Sequence, residues 1–184
     1  ERARTAAARS IDLGRCAGRW FAGVLAAGFD GEVLRHVEQR PHWLPRGAVY
    51  PYAVLRALGD FTAFELRVEA DAGSFAGPAM LVAVANSPRF GGGMRVAPQA
   101  ALDDGWLDLV IVRALPMLRF VAAFPRVYRG RHLEHPAITS FRVRRLRLSA
   151  DRPLRVHGDG EPLSTVGREG VEVTVAPGAL RVVA

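Results

Sequence analysis

The chain is 184 residues long and 49% hydrophobic, and it sets 25 Lys and Arg against 18 Asp and Glu for a net charge of +7 and a pI near 11.0. That length and composition fit one globular domain with a real core; no apolar run approaches the roughly 20 residues that cross a bilayer, and the N-terminus lacks the apolar stretch of a signal peptide. The charge favours anionic partners such as phosphates, nucleic acid or acidic headgroups, and the single cysteine, Cys16, excludes an internal disulfide and fits a reducing compartment.

In chain order, Glu1 to Arg9 reads as the end of a linker or helix from a preceding domain, and residues 10–184 as one β-rich unit. Ile11 to Cys16 and Arg19 to Ala27 read as a hairpin about Gly18. Gly28-Phe29-Asp30-Gly31-Glu32-Val33 is a glycine-flanked acidic turn, with Asp30 placed to cap a helix that begins at Glu32. A short helix is predicted over Ala48 to Leu58, with Tyr52, Leu55 and Leu58 inward. Phe64, Leu66 and Val68 alternate with Glu65, Arg67 and Glu69, the pattern of a half-buried strand.

The runs Leu81 to Ala85 and Leu109 to Val112 are apolar at every position, as in strands covered on both faces, and they bracket a long loop. Pro116 opens a helix carrying Met117, Phe120, Val121, Phe124 and Val127, which Pro125 bends or shortens. Strands follow over Ile138 to Leu148, Leu154 to Val156, Val171 to Val175 and Leu180 to Val183. A change of parity at Arg144-Arg145 predicts a β-bulge that turns Arg142, Arg144, Arg145 and Arg147 outward. Hairpin follows hairpin with little room for crossover helices, so the fold is mainly β with a few helices, a two-sheet antiparallel β-sandwich.

Three acidic constellations stand at strand ends beside glycine: Asp30 with Glu32, then Asp103, Asp104 and Asp108, then Asp159-Gly160-Glu161. Asp103-Asp104-Gly105 is an ordinary turn sequence and fails the EF-hand pattern, yet one of its carboxylates with backbone carbonyls suits a hard cation such as Mg²⁺. Asp159 and Glu161 share a face of an extended chain, where a carboxylate can take a hydroxyl proton. Gly91-Gly92-Gly93 is followed by no Gly-Lys-Ser/Thr and opens no helix, so it is not a phosphate loop. The histidines lack metal-ligand spacing and no serine sits in a nucleophile elbow, which removes zinc and hydrolase chemistry.

In this order, Ile11-Asp12-Leu13-Gly14, Gly28-Phe29-Asp30-Gly31-Glu32-Val33, Val84-Ala85-Asn86 with Phe90 to Met94, Ala97-Pro98, Asp103 to Asp108, Asp159-Gly160-Glu161-Pro162-Leu163 and Pro177 to Leu180 resemble the bacterial diacylglycerol kinase family of lipid kinases. Sphingosine kinases and, more distantly, NAD kinases are its relatives. The resemblance implies the second, β-sandwich domain of a diacylglycerol/NAD kinase-like fold. It expects ATP mainly on an N-terminal nucleotide-binding domain in cis that carries a Gly-Gly-Asp-Gly-Thr motif absent here, and implies that the fragment alone is inactive. It makes Glu161 the general base and Asp159 its neighbour, and places Mg²⁺ on the Asp104 side chain and the carbonyls of Ala101 and Trp106, although the family prefers an aliphatic residue at Trp106. Asp30 and Glu32 become candidates for the lipid site. The expected partners are a lipid substrate and an anionic membrane met peripherally at the inner, cytoplasmic surface through the outer arginines; a homodimer is left open and nucleic acid is not expected. The alternatives left open by the residues are a basic β-rich binding module for nucleic acid or anionic surfaces, and a kinase of NAD or a soluble metabolite.

Overall fold

The computed structural model describes residues 8–90 and 93–183. The linker expected at Glu1 to Arg9 lies outside the described residues as far as position 7, as do Gly91 and Gly92. Ala8 and Arg9 already belong to the first strand rather than to a linker.

Strand β1 (Ala8–Cys16) and strand β2 (Arg19–Phe21) form the expected hairpin. Its two turn residues, Ala17 and Gly18, both have positive φ (48° and 81°), as a two-residue hairpin turn that follows the strands' twist requires. The second predicted strand is broken at Ala22-Gly23, and β3 (Val24–Gly28) starts a new pairing with every residue buried. Helix α1 (Phe29–Glu38) follows directly. Its N-cap is Gly28 at φ 107°, where a Cβ would meet the Met80 carbonyl oxygen at 2.5 Å; Asp30 lies inside the first turn and is not the cap. Helix α2 (Val49–Asp60) buries Ala53 and Ala57 and leaves Leu55 exposed, because the small residues are the ones that let it pack closely against its neighbours.

Strand β4 (Phe64–Ala70) alternates as read. Strand β5 (Gly73–Ala85) changes character along its length: Gly73 to Ala79 pairs with β4, whereas Leu81 to Ala85 pairs with β3 on one side and with β6 (Leu107–Arg113) on the other. Helix α3 (Met117–Ala123) gives way at Pro125 to 3₁₀ turns over Phe124–Arg129 and Arg131–Glu134. The expected bulged strand is two strands, β7 (Ile138–Val143) on β6 and β8 (Arg145–Ala150) between β4 and β11 (Val171–Val183). Arg144 is the crossing point, and the parity change records the step from one layer to the other.

Strand β9 (Leu154–Gly158) pairs with β3 and with β10 (Glu161–Val166), which the sequence reading did not include; Pro162 is tolerated there because β10 is an edge strand. One layer is therefore β10-β9-β3-β5-β6-β7 and the other β5-β4-β8-β11-β1-β2, all antiparallel and joined through β5. A core of fully buried side chains, among them Leu25, Phe64, Leu66, Val84, Leu109 and Leu148, fills the space between them. The outer face of β3, β5 and β6 is covered too, by the loop around Val96 to Ala100 and by the three helices, which explains the unbroken apolar runs.

Candidate functional site

Most of the quoted motifs meet at one end of the sandwich, held by backbone hydrogen bonds to three polar side chains. Asp159 and Gly160 form the β9–β10 turn, both at positive φ. The Asp159 carboxylate accepts the N–H groups of Ala22 (2.7 Å), Gly23 (2.8 Å) and Val24 (2.9 Å), so it clamps the break between β2 and β3. Gly23 is required there, since a Cβ would lie 2.7 Å from Asp159 Oδ1. The buried Asn86 amide donates to the carbonyls of Asp12 and Ala22, both at 2.8 Å. The buried Asp12 carboxylate accepts Gly105 N–H (2.7 Å) and Gly178 N–H (2.8 Å), tying β1 to the acidic bend and to the irregular stretch of β11. No role was assigned to Asp12, Asn86 or Gly23 from sequence; the available signal was two polar residues inside apolar strand runs. Glu161, two residues after Asp159, starts β10 exposed, its side chain in no hydrogen bond or ion pair among the described residues.

In the bend itself Asp104 Oδ1 accepts Trp106 N–H (3.1 Å) and Oδ2 pairs with the Arg142 guanidinium. Arg142 and Arg144 lie over the Trp106 ring, 5.4 and 4.3 Å from its centre. Two cation–π contacts thus pack the Trp106 ring. Burial, offset by Arg142 and reinforced by Asp104, pushes the Asp108 carboxyl above its usual range.

Asp30 and Glu32 part company. Two positions apart on a helix, they point to different sides. Asp30 lines an apolar cavity of about 100 Å³ between the helices and the outer face of β3, β5 and β6, along with Phe29, Tyr50, Leu81, Phe120 and Val127. Its Oδ2 has no partner among the described residues, and burial pushes its pKa from 3.8 to about 6. Burial and then the Asp30 charge push the Tyr50 hydroxyl up as well. Glu32 does not line the cavity; it binds Arg35 and lies near His36 and Asp60. Although those three acidic and imidazole groups lie within 4.8 Å of one another, the Arg35 guanidinium pairs with both carboxylates and offsets part of their charge. Elsewhere the buried His157 ring packs beneath Gly31 with neither nitrogen partnered among the described residues, and burial lowers its pKa.

β3 rises about 3.3 Å per residue, so roughly 13 Å separates Val24, at the Asp159 clamp, from Gly28, just before Asp30. Asp30 and Asp159 therefore belong to two separate places on the domain. The cavity reaches from Asp30 to Phe90, Met94 and Val96 in the long loop that leaves Asn86.

Residues 23–184 match the family described as the YegS C-terminal NAD kinase beta sandwich-like domain. A probable lipid kinase YegS-like protein of Pseudomonas aeruginosa (strain PAO1) is 32% identical over 176 residues, 95% of this chain and 56% of that protein. A diacylglycerol kinase of Bacillus subtilis (strain 168) is 25% identical over 154 residues, 84% of this chain and 51% of that one. A diacylglycerol kinase structure from Bacillus anthracis str. Sterne superposes with a TM-score of 0.64 at 18% identity, over 96% of this chain and 54% of that one, and another from the same organism reaches 0.73 at 17%. The chain spans about half the length of the curated relatives it matches. It belongs to the C-terminal β-sandwich domains of the diacylglycerol and YegS-like lipid kinase family.

Proposed function

We propose that the protein carrying this chain transfers a phosphoryl group from ATP to a hydroxyl of diacylglycerol or a related lipid, and that this domain supplies the lipid-binding wall and the catalytic carboxylate. The observation that carries the reading is the apolar cavity with a single carboxylate, Asp30, among its lining residues. Such a site suits a molecule that is mostly hydrocarbon with a polar group to be fixed. The nucleotide would be held by an accompanying N-terminal domain, and the fragment alone would be inactive. Glu161, unpartnered and exposed, orients the attacking hydroxyl and takes its proton. Asp159, saturated by three N–H groups, is a positioning residue for that turn.

Labelling with γ-labelled ATP tests the reading: diacylglycerol, phosphatidylglycerol and a sphingoid base in mixed micelles are compared with NAD and soluble alcohols. A labelled lipid is expected. Labelled NAD or soluble alcohol with no labelled lipid would overturn the proposal.

The bend's donors fit Mg²⁺: the Asp104 carboxylate and the Ala101 and Trp106 carbonyls belong to one turn, beside Asp108, and hard oxygen ligands are what that ion takes. Bound there, it would brace the bend rather than act on phosphate. Arg142 competes for Asp104 Oδ2. Mg²⁺ at about a hundred times its Kd is expected to stabilise the parent by about 2.7 kcal/mol in thermal melts. Asp104→Ala should abolish that rise and Arg142→Ala should lower the Mg²⁺ concentration that produces it. Melting curves of Asp104→Ala that still respond to Mg²⁺ would remove the ion from this bend.

A further inference from the structure

We propose that the protein docks on an anionic bilayer through the helical face that roofs the cavity, formed by residues 39–59 and 113–133, and not through the arginines of β7 and β8. The two segments hold eight arginines and no carboxylate, whereas the rest of the chain has 17 arginines against 18 carboxylates. With the carboxylates at their ends, Glu38, Asp60 and Glu134, counted in, the two segments still carry +5 of the chain's net +7. All eight arginines are exposed, and none forms an ion pair among the described residues. On β7 and β8 the opposite holds: Arg142 pairs with Asp104, Arg145 with Glu172 at 3.1 Å, Arg147 bonds the Glu169 carbonyl and Arg144 lies over Trp106.

The same face gathers the exposed apolar side chains. Of the nine large exposed hydrophobic residues among the described ones, six lie on it: Trp43 (79% exposed), Tyr50, Leu55, Leu118 (85%), Val121 and Tyr128. On α3, Leu118 and Val121 point outward while Phe120 and Ala123 line the cavity, so a single layer of helix separates the cavity from the outside. Exposed aromatic and aliphatic side chains interspersed with arginines match a headgroup region, where rings sit at the interface and guanidiniums fork onto phosphate. Stable peripheral binding needs both signals at once, and this face carries both. An acidic protein or nucleic acid would be met by the charge but leaves the outward aliphatic side chains unexplained. The proposal deepens the lipid kinase reading, and rests on it for the statement that lipid passes from this face into the cavity.

The test uses the protein carrying this chain, flotation with phosphatidylcholine vesicles with and without phosphatidylglycerol, and activity on detergent-dispersed diacylglycerol. Three variants are compared: Arg119→Gln/Arg126→Gln/Arg129→Gln, Leu118→Ser/Val121→Ser, and Arg144→Gln/Arg145→Gln/Arg147→Gln, each checked for an unchanged Tm. Each arginine near an anionic surface contributes about fivefold in partition, so the first variant should lose roughly a hundredfold in binding. The second should lose binding as well, the third should keep it, and raised salt should weaken the parent. Binding that survives in the first two variants, loss confined to the third, or a parent that binds duplex DNA or RNA and no vesicle would overturn the docking proposal. Absence of lipid kinase activity in detergent, with vesicle binding intact, would instead strike the lipid kinase reading and leave the docking face standing.

Discussion

Glu161→Gln in the complete kinase is expected to lower kcat by about 10²–10⁴ with little change in KM for ATP or lipid. A lipid hydroxyl is a poor nucleophile at neutral pH, and the substitution keeps the side chain's size while removing the proton acceptor. The exposed, unpartnered position of Glu161 means that nothing else in the domain should move. Asp159 should behave differently. Asp159→Ala orphans three backbone N–H groups in one step; two of these bonds are exposed and one is half-buried, so at about 0.5–1.5 kcal/mol for each bond lost the variant should melt below the parent. Activity and stability would thus separate the two carboxylates of one motif. A Glu161→Gln enzyme with near-parental kcat would withdraw the base from this residue.

Asp30→Asn should make the domain more stable and the enzyme worse. A carboxyl raised from 3.8 to about 6 binds its proton more tightly in the folded than in the unfolded chain. Its contribution is favourable below about pH 4, declines as pH rises to 6, and above that leaves a penalty of about 2–3 kcal/mol. The amide carries no such penalty, so the variant should exceed the parent in unfolding free energy at pH 7–8, and the gap should close towards pH 4. Losing a charged acceptor in the cavity should meanwhile raise KM for the lipid roughly ten- to a hundredfold. Denaturant titrations across this pH range check the first statement. A gap that does not change with pH would show that the Asp30 carboxyl titrates normally.

Where covering elements act on a local pattern, the fold was legible. The alternation from Phe64 to Glu69 and the solid runs at Leu81 and Leu109 report one-sided and two-sided burial, and both were read correctly because each residue's exposure follows from its own strand. Arg144 was read as a bulge because parity alone does not distinguish an extra residue from a change of layer. Strand β10 was hidden by Pro162, which an edge position accommodates. Leu55 was taken as inward because apolar character and burial part company on α2, where Ala53 and Ala57 make the close contact. At the site, Asp30 and Glu32 were treated as a pair in a turn, and the helix that starts at Phe29 sends them apart. The role of Asp12 was out of reach, since its carboxylate meets N–H groups 93 and 166 positions away. No local pattern encodes such a contact.

The pairing of β1 with β11, from Ala8 opposite Val183 to Cys16 opposite Val173, has a consequence for how the protein is made. The second layer is completed only when the last strand of the described chain docks beside the first, so closure of one of the longest loops the chain can form must precede its reward in burial. During synthesis, β1 and β2 emerge before the other described strands and wait with an unpaired edge until β11 leaves the ribosome, an interval of roughly eight to thirty seconds at about 5–20 residues per second. Nascent chains stalled before Val171 should therefore be protease-sensitive and dependent on chaperones, and refolding from denaturant should fall in the slow, millisecond-to-second range of non-local β architectures.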